Sequence, residues 1–153
     1  MKFNEIQDKL IGNWTGENIL RLSWMTPSEF RSASELTAAK AIGDKFLILN
    51  YTWQHEDAAH EGFLLLGFDD KQEIFHATWA DSWHSSIKPM PLAGKIDASN
   101  AIELRGVYAV PNHPDWGWKI LITPTADALQ IIMYNVTPEG AEDLAVQAEY
   151  KRV

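Results

Sequence analysis

From Trp14 to the C-terminus, turn-forming residues recur roughly every eight to fifteen positions. Thr26-Pro27-Ser28, Gly43-Asp44-Lys45, Glu56-Asp57, Asp69-Asp70-Lys71, Pro89-Met90-Pro91, Asp97-Ala98-Ser99-Asn100, Pro111-Asn112-His113-Pro114, Thr125-Ala126-Asp127 and Pro138-Glu139-Gly140 supply the punctuation. No interval between two of them is long enough, or suitably periodic, for the crossover helix that parallel strands need. The runs between are rich in Thr, Val, Ile and aromatic residues and make about ten strand candidates. Neighbouring strands are therefore expected to pair as an antiparallel meander, and runs of strands at this spacing imply a sandwich or a β-barrel. The exception precedes them: Phe3, Ile6 and Leu10 recur at helical spacing, which predicts one short N-terminal helix plugging a barrel end.

Alternation assigns several faces. Leu144, Val146, Ala148, Tyr150 and Arg152 share one phase against Ala145, Gln147, Glu149 and Lys151. Leu104, Gly106 and Tyr108 oppose Glu103 and Arg105, and Trp116, Trp118, Ile120 and Ile122 oppose Lys119, so both sets are expected inside. The runs Phe46 to Tyr51 and Phe63 to Leu66 are apolar in both phases. Their outer face needs a cover, either the helix or a second copy in a homodimer.

Residues 1–153 suit one domain, and 46% hydrophobic against 22% charged residues is the balance of a chain that folds unaided. Thirteen basic and 21 acidic residues give a charge of −8, which repels phosphate backbones and anionic lipid and argues against nucleic acid or a membrane as partner. The absence of cysteine excludes disulfides, thiolate metal sites and Cys nucleophiles. With charges every few residues, the N-terminus does not read as a signal peptide, and a cytoplasmic protein is expected.

At Gly12-Asn13-Trp14-Thr15-Gly16 the chain resembles the opening strand of the calycins, the group that includes lipocalins, fatty-acid-binding proteins and nitrobindins. With Gly67-Phe68-Asp69 and Trp79-Ala80-Asp81-Ser82 it is similar to a bacterial calycin-like family known as a domain of unknown function. The resemblance implies that Trp14 closes one barrel end against a basic residue of the last strand, here Arg152, by a cation–π contact worth roughly 0.5 to 2 kcal/mol. Asn18 stands where that pattern often has a further glycine. The Arg-x-Tyr that grips a carboxylate in fatty-acid-binding proteins is not matched, because Ala148 precedes Tyr150. The histidine through which nitrobindins hold haem has only His113 as a counterpart, confined to a loop between Asn112 and Pro114, so no cofactor is expected.

The seven tryptophans suit an aromatic-lined cavity, since a barrel of about ten strands is too wide for side chains to fill. Trp53, His76, Tyr108, Trp116, Trp118 and Tyr134 are its expected lining, around a small apolar or amphipathic ligand. His55, Glu56, Asp57, His60 and Glu61 lack metal-ligand spacing and read as a solvated hairpin. An enzymatic alternative rests on His76, Asp81 and His84, although period two sets His76 and Asp81 on opposite faces. Asp81 and Ser82 also fit a plain turn role, bonding to backbone amides.

Overall fold

A computed structural model describes residues 2–85 and 87–153. Helix α1 (Phe3–Leu10) is followed by ten strands: β1 (Gly12–Arg21), β2 (Glu29–Ala41), β3 (Phe46–His55), β4 (Ala58–Asp69), β5 (Ile74–Asp81), β6 (Met90–Ile96), β7 (Ile102–Val110), β8 (His113–Pro124), β9 (Ala128–Val136) and β10 (Glu142–Arg152). Each strand pairs antiparallel with its neighbours in sequence, and β1 pairs with β10 to close the barrel. Closure leaves no sheet edge to template aggregation.

Period two sorts the side chains. In β3, Leu47, Leu49, Tyr51, Trp53 and His55 are buried inside while Asn50, Thr52 and Gln54 face out. β7 and β8 follow the expected phases, with Leu104, Trp118, Ile120 and Ile122 in the core. β10 departs from its expected phase at a bulge between Leu144 and Val146. Leu144 pairs with outward Tyr134, and the extra residue turns Ala145 inward. On the two-sided runs the inner residues Leu64 and Leu66 are buried, and the outer ones, Ile48, Phe63 and Leu65, are half-buried.

α1 closes the end formed by the start of β1 and the end of β10. Its Phe3, Ile6 and Leu10 join the core, the Phe3 ring stacks at 6.1 Å on Phe68, and Gln7 Nε2 donates to the Asp44 carbonyl at 3.3 Å. The fully buried Trp14 indole donates to the Leu10 carbonyl at 2.9 Å. Arg152, its register partner, lays its guanidinium 4.2 Å from the Trp14 ring and donates to the carbonyls of Ile11 (2.8 Å), Lys9 (3.1 Å) and Ala126 (3.3 Å). A cation thus meets the otherwise unpaired carbonyls at the helix C-terminus. Gly12 makes room for it: its φ is +140°, and a Cβ there would lie 2.7 Å from an Arg152 nitrogen.

Candidate functional site

The opposite end is built around the turn after β5. Asp81, the last residue of that strand, points inward, and its Oδ1 accepts the backbone N–H groups of Trp83 (2.9 Å) and His84 (3.0 Å). This Asx-type turn folds the chain back over the barrel mouth. Oδ2 accepts the Tyr51 hydroxyl at 2.6 Å and the Trp53 indole N–H at 3.3 Å. The Trp79 indole in turn donates to the Tyr51 oxygen at 3.0 Å. Tyr51 reaches from β3 to β5 across β4, and it can do so because residue 62, between them, is glycine: a Cβ there would collide with the phenol.

Burial alone would push the Asp81 carboxyl up, but the contact with the His84 imidazole, the Tyr51 hydroxyl and the His84 backbone N–H hold it down at about 2. Burial, followed by the adjacent Asp81 charge, pushes the Tyr51 phenol well above its ordinary range. At neutral pH the pair is therefore a carboxylate and a neutral phenol.

The His84 ring is surrounded by four tryptophans, with centroids 4.8 Å (Trp83), 5.4 Å (Trp118), 5.5 Å (Trp53) and 5.9 Å (Trp79) away. Trp79 and Trp118 stack at 5.0 Å. Nδ1 of His84 lies 3.3 Å from Asp81 Oδ1, an electrostatic contact too poorly aligned to count as a formed hydrogen bond. Neither His84 ring nitrogen, nor Trp118 Nε1, has a hydrogen-bond partner among the described residues, although all three are buried. Buried polar atoms are ordinarily paired, and leaving one unpaired costs about 1 to 3 kcal/mol.

His84 separates two spaces. Outward lies a cavity of about 410 Å³, lined chiefly by Leu20, Trp79, Trp83, Tyr108, Trp118 and Ala145. Arg21, Lys88 and Asp143 also line it, and the exposed Trp24 adds to its wall. Inward lies a nook of about 20 Å³. The outer volume is within the range of pockets that hold small organic molecules.

Of the expected lining, Tyr108 and Trp118 bound the cavity, and Trp53 stands behind His84 against the nook. Tyr108 donates to Asn135 Oδ1 at 2.5 Å. Trp116, register partner of Tyr108, is half-buried and does not line the cavity. Two facings need correction. His76 is exposed on the outer surface, because β5 runs without a bulge and period two carries Phe75, Ala77, Trp79 and Asp81 inside instead. Tyr134 also faces out, covering Lys119, whose ammonium sits 4.5 Å from its ring. Asp81 and His84 are brought together, whereas His76 is remote in facing. Ser82 is on the outer side of the turn, with its Oγ accepting the Glu61 amide and 3.0 Å from His60 Nδ1. Among the described residues, no group of three His, Asp or Glu side chains could hold a metal ion.

Tyr51, Trp79 and Trp83 belong to the site and were not anticipated there. The only sequence signal for them was the density of aromatics around Asp81, which does not distinguish core from lining.

A closed ten-strand antiparallel barrel, plugged by a helix at one end and aromatic-walled at the other, is the architecture that the calycin resemblance implies. Residues 4–152 match the family described as "Protein of unknown function (DUF1579)", and the chain belongs to that family. Among curated proteins nothing matches significantly. The crystal structure of Rv2717c from M. tuberculosis shares the fold at a TM-score of 0.67 and 15% identity, over 97% of this chain and 96% of that one. No helix among the described residues is long and apolar enough to cross a membrane.

Proposed function

We propose that the protein binds one small, largely apolar molecule, aromatic or amphipathic, in the cavity at the open end. The observation that carries this reading is the coincidence of an indole-walled cavity of about 410 Å³ with buried nitrogens on His84 and Trp118 that have no partner among the described residues. Stacking on Trp79, Trp83 and Trp118 supplies affinity, and an acceptor on the ligand would recover the Trp118 N–H. The charge of −8 disfavours nucleic acid and anionic membrane as partners, and the cytoplasm is the compartment in which we place this activity.

Titration with the neutral fluorophore N-phenyl-1-naphthylamine tests it. One probe per chain should bind saturably and quench tryptophan emission, and Ala145→Trp, which fills the cavity, should weaken it at least tenfold. A folded protein with no saturable binding would defeat the reading.

The ionised Asp81 beside His84 Nδ1 favours a second reading, proton transfer to or from a small organic substrate by His84. That reading requires turnover which His84→Ala abolishes in a folded protein. Background rates across ester, lactone and isomerase substrates would leave binding as the better account.

A further inference from the structure

Behind His84, the nook of about 20 Å³ is bounded by Asn18, Tyr51, Met133, Ala148 and Tyr150 as well as the imidazole itself. We propose that this nook is the inner compartment of the same site and that it receives the neutral polar end, a hydroxyl or a primary amide, of a ligand whose apolar body fills the outer cavity. This rests on the binding reading above.

His84 is the wall between the two spaces, and it is held in an unequal way. Its backbone N–H is clamped to Asp81 Oδ1 at 3.0 Å, whereas its ring makes no formed hydrogen bond through either nitrogen among the described residues. The imidazole can therefore turn on a fixed backbone at the expense of its ring contacts and of the 3.3 Å electrostatic contact with Asp81. As it stands, the nook exceeds the roughly 10 to 15 Å³ that one water needs, but not by enough for a larger group. A hydroxyl matches the nook as it stands and an amide widens it, and either group reaches it from the outer cavity once the imidazole swings aside.

The wall decides what chemistry is accepted. Tyr51 already donates to Asp81, and the Tyr150 and Ser34 hydroxyls share a bond at 2.8 Å. Asn18, 4% exposed, adds a buried amide with both donors and an acceptor, and the nook is where that capacity can be met. The register partner of Asn18 across the β1–β10 seam is Ala148, small enough to leave the space open. Asp81 also borders the nook, and its carboxylate repels an anionic end. Among the described residues no arginine or lysine lines the nook to offset that charge, so the site selects against fatty-acid-like termini.

The experiment compares biphenyl, 4-hydroxybiphenyl and biphenyl-4-carboxylate as competitors of N-phenyl-1-naphthylamine. The wild-type protein should prefer 4-hydroxybiphenyl over biphenyl by about five- to tenfold, the worth of one buried hydrogen bond, and should bind the carboxylate most weakly. In Asn18→Leu the ratio of hydroxybiphenyl to biphenyl affinity should fall to near one. Equal affinities in the wild type, or a preference that survives Asn18→Leu, would overturn the proposal. Should Asn18→Leu not fold, Ala148→Leu fills the same nook and carries the same expectation. If the fluorophore itself does not bind, the binding reading fails, an outcome distinct from a bound fluorophore with no discrimination among the biphenyls.

Discussion

The two ends of this barrel use the same residue types to opposite effect. At the plugged end, Trp14 and Arg152 meet with their polar groups satisfied: the indole N–H goes to Leu10, and the guanidinium to Ile11, Lys9 and Ala126. At the open end, Trp118 and His84 are packed among aromatic rings, yet their ring nitrogens have no hydrogen-bond partner among the described residues. Satisfied polar atoms make a closure, because nothing further is gained by admitting a ligand. Unsatisfied ones, beside a cavity, store a demand that a ligand can meet.

The largest effect that could break this contrast belongs to Asp81. Asp81→Ala would strand the Tyr51 hydroxyl, the Trp53 N–H and two backbone amides at once, and should cost about 3 to 5 kcal/mol of stability by denaturant midpoint. It should also abolish N-phenyl-1-naphthylamine binding, because the turn that carries His84 loses its acceptor. A loss below about 1 kcal/mol would show that the carboxylate does not organise the open end.

Next in size is the pH dependence of the same group. Its carboxyl is held at about 2, against an ordinary 3.8, so the stabilisation is fully present above about pH 4 and is lost as pH falls toward 2. The difference corresponds to about 2 kcal/mol. Urea midpoints of wild type and Asp81→Asn should therefore converge by about that amount between pH 4 and pH 2. A gap that is constant with pH would contradict the ionised, bonded state of Asp81.

The smallest effect tests the plugged end. In a double-mutant cycle, Arg152→Ala and Trp14→Phe should couple by about 1 kcal/mol, as expected of a partly exposed cation–π contact, and N-phenyl-1-naphthylamine affinity should stay within twofold of wild type in Arg152→Ala. Additive losses would mean that the ring and the guanidinium contribute independently. A tenfold loss of probe binding would mean that the two ends are not separate.

Much of this fold is legible in the sequence. Turn spacing and the lack of room for a crossover helix were enough for an antiparallel sandwich or barrel, the calycin resemblance of the Gly12-x-Trp14 opening chose the barrel, and alternation placed Leu104, Trp118, Ile120 and Ile122 inside, because period two is a property of the extended backbone alone. Alternation failed at Leu144, where a bulge shifts the phase without a residue type that announces it. The chemistry of His76 and Tyr134 suggests an inward facing, but both are out of phase with core residues of their own strands, Trp79 and Ile131, and so lie outside.

What belonged to the tertiary structure alone was the assembly of the open end. Tyr51 meets Asp81 only because the registers of the β3–β4 and β4–β5 pairs bring Tyr51, Gly62 and Asp81 into one row and Gly62 leaves the path clear; no sequence interval encodes that register. His84 lies outside any strand, so no periodicity could orient it. Its place among Trp53, Trp79, Trp83 and Trp118 follows from Asp81 binding two backbone amides of the turn, and from the barrel bringing β3, β5 and β8 to bear on the same point. Strand periodicity is local and survives in the one-dimensional chain, whereas a site made of side chains from three strands and a turn exists only once the barrel has closed.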